Sequence, residues 1–231
     1  MNKEEYKKYL NKFYLNQDKE YQVFTKPIVN SKYELVGIRT PILKDEAKKI
    51  SKSNYMDYLK YNEFSTYEEI LLYGLIVSNI KDYSLYKEYM NIYLDKCDSW
   101  ALIDGVVANS KVIKKNLDIN LDYIDELIKT KKEFYVRTGY IMLKAFYIDG
   151  IHNKDIYKYI DKNKTDKYYV NMAIAWLLCD LFIKDYDNCL DYFKNCNLPD
   201  TIINMTIRKC KDSFRLTDKQ KEEISRIKVS N

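Results

Sequence analysis

What most constrains this chain is its shortage of residues that turn a backbone. Five glycines and three prolines serve 231 residues. Few turns can be built from that supply, and Asn-Gly or Asp-Gly signals set between alternating strands are missing. The Asp149-Gly150 pair follows a helical pattern over Tyr135 to Tyr147, so it reads as a helix stop rather than a hairpin. The chain is therefore expected to be all-α.

Apolar residues recur at helical spacing along its length. They predict helices over 3–15, 19–29, 41–50, 54–61, 66–80, 83–94, 99–107, 109–115, 119–128, 134–147, 154–161, 168–184, 186–194, 200–213 and 218–227. Several starts are legible. Ser65-Thr66-Tyr67-Glu68 reads as a capping box ahead of Ile70, Leu71, Leu72 and Leu75. Thr40-Pro41 sets a cap before a proline, Pro199-Asp200 opens a helix, and Thr217 to Gln220 caps the last one. Asp98 is the expected cap of the helix that begins near Trp100. From residue 66 the helices fall into antiparallel pairs of roughly 30 to 40 residues, the period of HEAT-type repeats. The expected fold is a right-handed α-solenoid of such pairs, one domain over 1–231 with a concave basic groove. An irregular helical bundle is the alternative.

Composition narrows the partners. Apolar residues make up 46% of the chain, enough for a sizeable core, yet no apolar run approaches the eighteen or so residues of a membrane span. The charged start Met1-Asn2-Lys3-Glu4-Glu5 lacks the apolar stretch of a secretory signal, so a cytoplasmic location is expected. Net charge is +5, which permits a nucleic-acid partner without requiring one. The five cysteines form no CxxC and read as reduced, mostly buried side chains. His152 stands alone, so no metal site is expected.

Four residues, among them the chain's only two tryptophans and one of its five arginines, stand at suggestive intervals. Trp100 and Asp104 lie four apart and share one helix face. Arg137 follows Trp100 by 37 residues and Trp176 follows Arg137 by 39, close to one repeat each. Equivalent places in stacked repeats would bring a carboxylate, two indoles and a guanidinium to one wall. Each has a packing explanation too: both tryptophans as core, Asp104 paired with a lysine, Arg137 as a buried tie between helices. Lys111, Lys114 and Lys115, then Lys129, Lys131 and Lys132, then Lys162, Lys164 and Lys167 recur between helices. Together they would form a basic stripe suited to a phosphate backbone.

With these residues in view, the chain resembles the HEAT-like repeat DNA alkylation repair proteins of the AlkD family, over essentially its whole length. The resemblance is carried by Val36-Gly37-Ile38-Arg39-Thr40-Pro41, by Cys97 to Asp104, and by Tyr135-Val136-Arg137-Thr138. It continues through Tyr168 to Trp176 and ends at Ile207 to Arg215. It implies an alkylpurine DNA glycosylase that hydrolyses the N-glycosidic bond of N3- or N7-alkylated purines in duplex DNA. Asp104 would be the catalytic carboxylate, and Trp100 and Trp176 would flank the lesion. Arg137 would contact the DNA backbone, and the reading of the basic residues adds Arg39, Lys111, Lys114 and Lys115 as expected DNA contacts. No cofactor, metal or membrane is implied, and the protein would act as a monomer. The alternative is a non-catalytic HEAT-like solenoid that binds nucleic acid or a protein.

Two departures bear on this expectation. Active members carry an arginine one turn after the second tryptophan, where this chain has Cys179 followed by Asp180. Active members also carry a full second helix, whereas here Pro27 is expected to shorten it, as in a sister subgroup with a reduced second helix.

Overall fold

A computed structural model describes residues 2–163 and 165–227. Among these there are fourteen α-helices and no strands, so the chain is all-α. It divides into two compact units, Met1–Asn116 and Leu117–Asn231. The first holds α1 (Lys3–Phe13), α2 (Lys19–Val29), α3 (Thr40–Ser51), α4 (Tyr55–Tyr61), α5 (Tyr67–Val77), α6 (Tyr83–Leu94) and α7 (Trp100–Asn109). The second holds α8 (Leu117–Lys129), α9 (Glu133–Phe146), α10 (Asn153–Asp161), α11 (Tyr168–Lys184), α12 (Tyr186–Asn195), α13 (Asp200–Asp212) and α14 (Asp218–Ser225).

Each unit is organised around one buried helix. Every residue of α5 is buried, and α3, α6 and α7 pack against it. In the second unit α11 plays that part, with α9 and α13 against it and α12 beside it. Both helices are apolar nearly all round, as central helices must be.

Burying α5 also buries Glu68 and Glu69, at 2% and 1% exposure, and carboxylates so placed must be paired. Glu69 closes a capping box with Thr66 and accepts the Tyr6 hydroxyl at 2.6 Å. The cap is thus Thr66 with Glu69, one residue along from the pairing expected from the sequence. Glu68 turns instead to the segment before α3, accepting backbone N–H from Gly37 at 2.7 Å, Val36 at 2.9 Å and Ile38 at 3.2 Å. Burial pushes its carboxyl above the ordinary value, and the three N–H donors pull it back. Gly37 has to be glycine. Its φ is +96°, and a Cβ there would lie 2.6 Å from the Asp18 carbonyl oxygen.

α2 has the bounds expected from the sequence, Lys19–Val29: Pro27 sits in its last turn, and Asn30 caps it in the left-handed conformation. Proline there removes only the N–H that would bond the Val23 carbonyl, at a residue that is itself 73% exposed. Other helix boundaries differ from expectation. No separate α-helix covers residues 109–115: α7 runs on to Asn109, and Lys111–Lys115 is a short 3₁₀ turn. At α3, Arg39 is the cap residue, and Thr40 and Pro41 are already helical. The caps at Pro199 and Thr217 are as expected, the latter completed by Gln220.

Candidate functional site

The first unit presents Trp100 and Asp104 from α7. Ser99, not Asp98, caps this helix, its hydroxyl accepting from the Ala101 N–H at 3.2 Å. Asp98 is taken elsewhere: its carboxylate accepts the Ser31 hydroxyl at 2.8 Å and the Lys32 N–H at 2.7 Å. These bonds hold the chain just after α2 against the start of α7. The Ser99 hydroxyl donates to the Val29 carbonyl, and the Trp100 indole N–H donates to the Ile28 carbonyl at 3.2 Å. The end of α2 therefore fixes the indole. Asp104 lies one turn on, half-buried like Trp100, and Gly105 beside it is exposed with open space where a side chain would be. Trp100 and Asp104 are thus brought to one accessible face.

The basic residues expected in this unit fall into two kinds. Lys111, Lys114 and Lys115 are exposed on the 3₁₀ turn that follows α7. Arg39 lies at the start of α3, where its guanidinium pairs with Asp18 at 2.7 Å and its carbon Cζ lies 5.2 Å from the Tyr21 ring centre. Asp18 caps α2, and its carboxyl is held below the ordinary aspartate value, first by the Tyr21 N–H and then by Arg39.

The second unit holds Arg137 and Trp176. Arg137 is one turn inside α9 and is 4% exposed. Its guanidinium donates to the Tyr169 carbonyl at 2.6 Å, while Glu133, one turn earlier, accepts the Tyr169 N–H at 2.9 Å. The two side chains clamp one residue at the start of α11. Trp176 lies two turns further along that helix and is 37% exposed. The Lys144 ammonium sits 3.8 Å from its ring centre, a close cation–π contact. Lys144 also pairs with Asp180 at 3.0 Å, and the other oxygen of Asp180 takes Arg215 at 2.6 Å. The lysines at 129, 131, 132, 162 and 167 lie on the surface between helices or at their ends; Lys164 lies outside the described residues.

Sequence reasoning missed Lys144 and Arg215. Lys144 looks like any cation in a last helical turn, and Arg215 stands 35 residues beyond its partner Asp180. Cys179 contacts Cys210 on α13. That contact holds the Cys179 thiol below the usual value, with the charges of Arg215 and Lys209 adding to the effect. A guanidinium therefore does act close to the place where the family pattern has an arginine, but it comes from the α13–α14 connection. Among the described residues no group of three histidine, cysteine, aspartate or glutamate side chains could hold a metal ion, and no helix is long and apolar enough to cross a membrane.

Fold and residues together define an all-helical protein with one indole-bearing, partly exposed surface in each unit. A sequence model of the family described as DNA alkylation repair enzyme matches residues 9–210, and the chain belongs to that family. Its place is accordingly in DNA repair. No curated protein and no solved structure matches the chain.

Proposed function

We propose that this protein is an alkylpurine DNA glycosylase that releases N3- or N7-alkylated purines from duplex DNA. The observation that carries the proposal is the α7 face on which Asp104 stands one turn from an indole held in place by the end of α2. An N3- or N7-alkylated purine is cationic, so the bond from C1′ to the ring nitrogen breaks with its electron pair leaving on the base, without a general acid. The oxocarbenium-like sugar left behind needs a negative charge beside it and then a water molecule, whose proton is lost as the new C–O bond forms. A fixed carboxylate stabilises that charge and can orient the water. Asp104 is assigned this role, and Trp100 and Trp176 are assigned to lesion binding, where indole faces attract cationic groups.

Lys111, Lys114, Lys115 and Arg39 are assigned the DNA backbone. Arg137 joins them only if it exchanges its bond to Tyr169 for a phosphate; in the clamp it positions α11 and so Trp176. The helix pairs are proposed to stack as a right-handed HEAT-like solenoid whose concave basic groove takes the duplex, with the protein acting as a monomer. That residues 19–29 form a helix rather than a loop supports catalysis over the sister-subgroup alternative, because its last turn holds Trp100.

Cys179 and Asp180 favour a second reading, a non-catalytic DNA-binding member, since an arginine is absent from α11 there. Incubation with methylated duplex DNA and chromatography of released 7-methylguanine separates the two. Release by wild type and its loss in Asp104→Asn support the glycosylase. No release above buffer, or an Asp104→Asn variant as active as wild type, refutes it.

A further inference from the structure

The connection between α13 and α14 carries the chain's most exposed aromatic residue. Phe214 is fully exposed, and next to it the Arg215 side chain is 61% exposed although its guanidinium is fixed on Asp180. The connection is firmly held. Cys210 before it and Leu216 after it are buried, and the Arg215 N–H donates to the Ser213 hydroxyl at 3.2 Å. A phenylalanine held outward on such a turn leaves its whole ring open to a flat partner.

Its surroundings are basic. Arg208, Lys209, Lys211 and Arg215 fall within eight residues of chain at the end of α13 and the turn, against Asp212 in the same stretch and Asp180 bonded to Arg215. Through Asp180 the turn is continuous with Lys144 and the Trp176 ring. Arg215 spends one nitrogen on Asp180 and keeps further donors for an anion. Aromatic rings interleaved with fixed cations suit a polyanion that also offers flat, apolar surfaces.

We propose that Phe214 and Arg215 form a second DNA-contacting element, in which Arg215 takes a backbone phosphate and Phe214 lies against the sugar and base edge of the neighbouring nucleotide. Arg215 then supplies from the turn the cation that α11 lacks at Cys179. This inference rests on the DNA-repair reading above and adds a contact surface to it.

The test is fluorescence anisotropy of a labelled duplex, undamaged or carrying an abasic-site analogue, at several salt concentrations. Arg215→Ala is expected to weaken binding and to reduce the slope of log affinity against log salt by about 0.9, the value for one phosphate. Arg215→Lys should retain most of that slope. Phe214→Ala is expected to weaken binding roughly tenfold with the slope unchanged, and Phe214→Trp to restore it. Both positions are exposed, so circular dichroism should match wild type throughout. If wild type binds and both alanine variants bind equally well with the same slope, the element is refuted while the DNA reading stands. If wild type binds no duplex at any salt concentration, the DNA reading falls and the element falls with it.

Discussion

Replacing Glu68 by glutamine should destabilise the first unit far more than an isosteric change usually does. The carboxylate is 2% exposed and accepts three backbone N–H groups from consecutive residues, at 2.7, 2.9 and 3.2 Å. Glutamine keeps one acceptor oxygen for Gly37 and Ile38 but turns an NH₂ toward the Val36 N–H. One buried donor is then opposed, costing about 1–3 kcal/mol, and the remaining bonds lose their charge assistance, at roughly 0.5–1 kcal/mol each. Relief from burying a charge returns part of this. The net expectation is about 2–4 kcal/mol for Glu68→Gln, and more for Glu68→Ala, which abandons all three donors. With a urea slope of about 1–3 kcal/mol per molar, the midpoint should fall by on the order of 1–2 M. Hydrogen exchange should localise the loss to the amides of Val36, Gly37 and Ile38. A pH dependence follows from the raised carboxyl. Between the ordinary glutamate value and the raised one, the folded chain keeps a proton that the unfolded chain has lost, so wild-type stability declines as pH rises through that window. It is level above, and the glutamine variant should show no such decline. A cost under about 1 kcal/mol, with protection at 36–38 intact, would refute this account.

Three further outcomes are expected. Gly37→Ala should cost roughly 2–5 kcal/mol in urea unfolding, because it combines a positive φ with a Cβ pressed on the Asp18 carbonyl; near-neutral behaviour would show that the segment can shift freely. Trp100→Phe should cost about 0.5–1.5 kcal/mol and speed amide exchange in the last turn of α2, since it removes the indole bond to Ile28; unchanged exchange there would sever the link between α2 and the α7 face. Asp18 should titrate below the ordinary aspartate value when followed by carboxyl NMR. Its contribution is complete above the unfolded value and is lost as pH falls through the lower folded one, and a midpoint at or above the ordinary value would contradict the Tyr21 and Arg39 contacts.

Where the sequence was legible, the governing interactions were local. Helix caps such as Thr217 with Gln220 follow from residues three apart, and the apolar period of α11 announces a buried helix by itself. Where it was not, a distant partner decided. Asp98 is a good capping residue by type, yet Ser31 and Lys32, some 66 residues away, claim its carboxylate and leave the cap to Ser99. Glu68 looks like the acidic residue of a helix start, but its role is set by a backbone segment about 30 residues earlier. Trp100 and Asp104 could be paired from spacing alone because one helix carries both. The substitution at Cys179 reads as a lost cation only until Arg215 is seen bonded to its neighbour Asp180.

The placement of the two tryptophans gives the protein a built-in pair of optical probes. One indole belongs to each unit, the first hydrogen-bonded to a helix-end carbonyl and the second lying under a lysine ammonium. Trp176→Phe would leave an emission that follows only the first unit, and Trp100→Phe one that follows only the second. Unfolding curves recorded on the two variants would then show directly whether the halves of the chain melt together or one after the other.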